Sequence, residues 1–129
     1  MRLVKDVYDT TSALAKVKGV DINKIFTVGF SLGAQIGADA IRDINAEEAK
    51  THNWGPLPRG VISLYGGCAY PSRTYLDENI VRPVLWMMGE DDNYYMEGCD
   101  TSIFESIKEQ FPHSEFISFE IILARASSK

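Results

Sequence analysis

Two runs in this chain, Val61-Ile62-Ser63-Leu64-Tyr65 and Val84-Leu85-Trp86-Met87-Met88, are almost continuously apolar, too short for helices, and stopped at once by Gly66-Gly67 and Gly89. A strand that is apolar on both sides predicts burial on both faces, as in a parallel sheet with helices packed above and below it. A third run, Lys24 to Phe30, reads as a strand, and a fourth, Phe116 to Leu123, alternates Ile117, Phe119, Ile121 and Leu123 with Ser118 and Glu120. Helix-length segments lie between these runs. The order helix, strand, helix, strand, loop, strand, helix, strand predicts an α/β sheet of about four mostly parallel strands flanked by helices and wound right-handed.

The helices are read from their spacing. Val4, Val7, Tyr8, Thr11, Leu14 and Val17 recur at three- and four-residue steps and predict a helix ending at Gly19, with Asp21 opening the turn into the first strand. Ala34, Ile36, Ala38, Ala40 and Ile41 predict a largely apolar helix from Ser31 to about Ile44. Asn45 to Arg59 reads as a polar connection broken by Gly55-Pro56-Leu57-Pro58. The last helix begins near Cys99, turns Ile103, Phe104, Ile107 and Phe111 inward, and ends at Pro112.

At 129 residues the chain is one small domain. Its formal net charge of −5 and the lack of a basic cluster exclude nucleic acid as a partner class. No apolar run approaches the ~20 residues needed to cross a bilayer, and Met1 leads straight into an amphipathic segment that does not read as a leader, so no membrane partner is expected. Cys68 and Cys99 make no disulfide framework and stand apart from any metal-ligand spacing.

In a sheet of this kind ligands bind beyond the carboxyl ends of the strands. Three segments reach that edge: Ser31, then Gly66-Gly67-Cys68, then Gly89-Glu90-Asp91-Asp92. The first carries the chemistry. Gly29-Phe30-Ser31-Leu32-Gly33 is a G-x-S-x-G pentapeptide between a strand and a helix, and a sharp turn there holds a serine hydroxyl exposed for attack. Gly29 and Gly33 let strand and helix approach, and either can take positive φ without a Cβ penalty. The Leu32 amide opens the helix and points at a developing oxyanion. The plain alternative is a tight turn with a solvated serine. A serine of this kind needs a histidine and an orienting carboxylate. Asp91 or Asp92 is the candidate acid; on their own these residues read as a solvated acidic turn.

Taken together, Val20-Asp21, Val28-Gly29-Phe30-Ser31-Leu32-Gly33, Leu64-Tyr65-Gly66-Gly67-Cys68, and Pro83-Val84-Leu85 running into Gly89-Glu90-Asp91-Asp92 resemble the dienelactone hydrolases of the α/β-hydrolase fold. The resemblance runs to about residue 120. It implies a serine hydrolase acting on a small-molecule ester or lactone, with Ser31 as nucleophile, Asp92 as triad acid and Asp91 as the less favoured acid. Cys99 matches a cysteine common after this loop. No metal or organic cofactor is implied. It also implies that residues 1–129 form one incomplete α/β-hydrolase domain, without the family's amino-terminal strands and its carboxyl-terminal histidine loop. His52 and His113 each precede a strand and belong at the opposite, amino edge, so neither is expected to serve as base. The alternative functions are a non-catalytic binding domain or an inactive truncated fragment. The strand at 24–30, first in this chain, is expected to form a sheet edge through which copies self-associate.

Overall fold

The computed structural model describes residues 2–66, 69–70, 73–74, 79–89 and 101–119. Helix α1 spans Arg2–Leu14 and is followed by turns and a short 3-10 helix, Ile22–Lys24. Strand β1 is Thr27–Phe30, helix α2 is Leu32–Ala40, and helix α3 is Asp43–Thr51. Strand β2 is Val61–Leu64, the pair β3 (Ala69–Tyr70) and β4 (Arg73–Thr74) forms a small antiparallel ribbon, and β5 is Val84–Gly89. Helix α4, Thr101–Gln110, leads into β6, Glu115–Phe119.

The main sheet has the order β1-β2-β5-β6, and every pairing in it is parallel. This is an α/β architecture, as expected. The register sets Thr27 beside Val61 and Val61 beside Val84, then Leu85 beside Glu115. Strand order follows chain order, so right-handed crossovers carry each connecting helix over the same face. Ala38 of α2, Ile41 just past its end, and Phe104 and Ile107 of α4 duly pack with Val61, Val84, Trp86 and Met88 in one buried cluster. The Trp86 and Phe104 rings meet at 6.3 Å, and the Ser114 hydroxyl accepts a 3.0 Å hydrogen bond from the Val84 amide, fixing the start of β6 against β5.

A second cluster joins α1 to α2 and α3 through Val4, Tyr8, Ala40 and Ala49. Tyr8 donates from its phenol to the Ala40 carbonyl at 2.6 Å, and Thr11 Oγ1 donates to the Pro56 carbonyl at 2.6 Å. Burial pushes the Tyr8 phenol well above its ordinary pKa; Arg82 opposes the shift and Asp39 adds to it. The nearly fully buried Asp39 carboxylate stands 3.6 Å from Arg42 Nη1 and accepts from Asn45 Nδ2 at 3.1 Å, tying the end of α2 to α3.

Several boundaries differ from the reading of the sequence. Helix α1 stops at Leu14, because Leu14 and Val17 are exposed and offer nothing to continue the buried stripe; Gly19, at φ 90°, belongs to a later turn. Asp21 caps the 3-10 helix by accepting from the Asn23 amide, so β1 starts at Thr27 and not at Lys24. Helix α2 ends at Ala40, and α3 occupies part of the stretch read as a polar connection. Only Asn45 and Ala49 of α3 are buried, too few to leave a periodic signal. The largest correction concerns burial on both faces. On β2 and β5 the outward residues Ile62, Leu64, Leu85 and Met87 are only half-buried, and beside them Val28 and Phe30 are each 57% exposed and Ile117 39%, so among the described residues helices cover one side of the sheet and leave the other open to solvent.

Candidate functional site

Ser31 joins β1 to α2 at φ 49°, ψ −120°. Such a conformation is sparsely populated by residues with a Cβ and costs on the order of 1–3 kcal/mol. Neither flanking glycine takes the positive φ; the serine itself does. The glycines differ in what they are for. A Cβ on Gly29 would lie 2.4 Å from the Gly33 carbonyl carbon, whereas a Cβ on Gly33 would meet nothing within 4 Å. Close approach of strand and helix therefore depends on Gly29.

The backbone of Ser31 is fully engaged. Its amide donates to the Leu64 carbonyl at 3.0 Å, binding the turn to β2, and its carbonyl accepts from the amides of Ala34 at 3.0 Å and Gln35 at 3.2 Å. Its side chain is not. A serine in the N-cap position ordinarily folds its hydroxyl back onto the first helical amides; here the hydroxyl makes no such bond, and Ser31 is exposed. The amides of Leu32 and Gly33 likewise have no acceptor among the described residues. An exposed hydroxyl thus stands beside two unpaired N–H groups at the positive end of a nine-residue helix.

A second strained residue adjoins the first. Tyr65, just past the end of β2, has φ 43°, and its ring lies 6.0 Å from that of Phe30. Positive φ is unusual for so bulky a residue. Gly66 follows it. A Cβ there would fall 2.5 Å from Ala34 Cβ and 3.0 Å from the Ser31 carbonyl oxygen, so the end of β2 packs directly on the turn that holds Ser31. Tyr65 was not singled out from the sequence; the double glycine after it was the available signal, since it marks a backbone that must turn in a crowded place.

Strand β5 lies two strand spacings from β1, about 10 Å. It ends at Gly89, and Asp91 and Asp92, with Cys68 and Cys99, lie outside the described residues. His52 follows α3, is exposed, and stacks on Trp54 at 6.1 Å and 18°. His113 is exposed between α4 and β6. Both histidines precede their strands, at the edge opposite Ser31. A cavity of about 480 Å³ also lies away from the serine, between α1 and α3, lined by Tyr8, Ala46, Glu47, Lys50, Leu57 and Arg82 among others. Its lining holds no serine or cysteine.

Among the described residues, no three potential metal ligands cluster and no helix is long and apolar enough to cross a membrane. No family model matches the chain, and no curated protein matches it.

Proposed function

We propose that this chain carries the nucleophile of a serine hydrolase that transfers the acyl group of an ester or lactone to water, in the manner of the dienelactone hydrolases and on a portion of their α/β-hydrolase fold. The observation that carries this reading is the conformation of Ser31: strained, exposed, and with its hydroxyl withheld from its own helix. A turn selected only for stability would use that hydroxyl as a cap or replace the residue with glycine.

In this reading Ser31 Oγ attacks the substrate carbonyl and the Leu32 amide, with the α2 dipole behind it, stabilises the oxyanion. Asp92, or less favourably Asp91, orients an imidazole that takes the serine proton. Water then releases the acid. Exposed Leu32, next to the serine in the chain, offers apolar surface suited to the hydrocarbon part of the substrate.

The position of the two histidines favours a second reading, a non-catalytic domain that keeps the turn and binds without turnover. Covalent labelling separates the two. With imidazole supplied in solution as the missing base, a fluorophosphonate should modify Ser31, identified by peptide mass spectrometry, and Ser31→Ala should abolish the adduct. No adduct, or one elsewhere, sinks the hydrolase reading.

A further inference from the structure

We propose that the uncovered face of the sheet is a self-complementary interface on which a second copy of this chain packs face to face. The inference makes no use of Ser31 and stands apart from the hydrolase reading.

The face is built by register. Val28 pairs with Ile62 and Ile62 with Leu85; Phe30 pairs with Leu64, Leu64 with Met87, and Met87 with Ile117. Each row runs straight across the sheet on the side away from α2 and α4. Phe26 extends it at one end and the Tyr65 ring, against Phe30, at the other. Among the described residues these rows carry a single charge, Glu115, which sits beside Leu85 on β6 at the border farthest from β1.

Its size suits a dimer. A fully exposed aromatic side chain presents roughly 150–250 Å², so Phe26, Phe30 and Tyr65 at about half exposure contribute about 300 Å². Val28, Ile117 and the half-buried Ile62, Leu64, Leu85 and Met87 bring the total to roughly 600–800 Å², against about 800 Å² per partner in a standard interface. A continuous apolar patch of that extent is at the upper limit of what monomers expose.

Edge-to-edge pairing through β1 accounts for the face less well. The Thr27 and Ser31 amides already point inward, to the carbonyls of Gly60 and Leu64. Only Val28 and Phe30 within the four-residue strand are left to pair outward, and an extended sheet would leave every apolar row in water. Stacked sheets about 10 Å apart remove those rows from solvent together. Strand 24–30 therefore associates by its face.

Light scattering on the eluting chain across micromolar to millimolar concentrations should show a dimer that dissociates on dilution. The pair Val28→Lys and Phe30→Lys should weaken association at least 100-fold while far-UV circular dichroism stays unchanged, since both side chains are exposed in one copy. In a Cys68→Ser, Cys99→Ser background, Ile62→Cys should cross-link between copies with a bis-maleimide of about 10 Å reach; edge pairing would hold those positions about 14 Å apart. With a net charge of −5 on each copy, added salt should tighten the dimer. A monomer at every concentration, an open-ended polymer, a dimer indifferent to the lysines, or failure of the Ile62→Cys cross-link would each overturn the proposal.

Discussion

A methyl group placed on Gly29 would stand 2.4 Å from both the carbonyl carbon and the carbonyl oxygen of Gly33, a backbone contact that no rotamer change can relieve. The two glycines of the pentapeptide thus stand in an unequal relation. One is required by the other's backbone, and the other is not required at all. Gly29→Ala should destabilise the chain by about 2–4 kcal/mol, read from urea unfolding. Gly33→Ala adds a Cβ in open space within a helix and should range from neutral to about 1 kcal/mol stabilising. Equal effects of the two would refute this assignment.

Ser31 holds a conformation that costs stability. Ser31→Gly should raise thermal stability by about 1 kcal/mol, because glycine accepts φ 49° without strain and caps a helix almost as well as serine. Ser31→Ala keeps the Cβ and should give no such gain. A melting temperature that falls in Ser31→Gly would mean that the serine stabilises the turn it occupies.

Catalysis by this chain alone should be marginal. Both histidines lie at the amino edge of the sheet, so in the proposed reading hydrolysis of activated aryl esters would rely on the Leu32 amide without a base. Enzymes lacking a triad member typically retain about 10³–10⁴-fold over water, which is the most to expect here. Ser31→Ala should lower the measured rate only slightly. Vigorous turnover abolished by that substitution would reveal a base in a place not assigned here.

The raised Tyr8 pKa has a pH signature. Its neutral form is favoured in the folded chain, so its contribution is complete below the unfolded value of about 10 and is lost as pH rises above it. Stability should fall between pH 9 and 11 more steeply in the parent than in Tyr8→Phe. That variant should also lose about 1–2 kcal/mol at neutral pH, because the Ala40 carbonyl is left without its buried donor. Parallel pH curves for the two proteins would remove Tyr8 as the source.

The parallel sheet and the placement of Ser31 at its carboxyl edge were legible because apolar runs ended by glycine constrain a backbone strongly. Helix α3 was not, since two buried residues in nine leave a polar-looking stretch. The open face is hidden from the sequence for a related reason. Hydrophobicity along Val61–Leu64 or Val84–Gly89 states what a strand can bury, and nothing in the local pattern states which side receives a helix. That is decided by strand order, a property of the whole chain. The strain at Ser31 was half legible: the turn was evident from its glycines, but which residue bears the positive φ depends on how closely Gly29 and Gly66 let their neighbours approach.

The monotonic order of the four strands also bears on how the chain acquires its shape. Each strand pairs with one laid down about 20 to 35 residues earlier, and none waits for a segment synthesised later on its far side. Growth during translation can then proceed as accretion, with every emerging strand finding its template already in place. The slow step that burdens most parallel sheets, closure of long loops between distant segments, is divided into short instalments. A stalled ribosome series should show protection spreading across the sheet from β1 towards β6, one strand at a time.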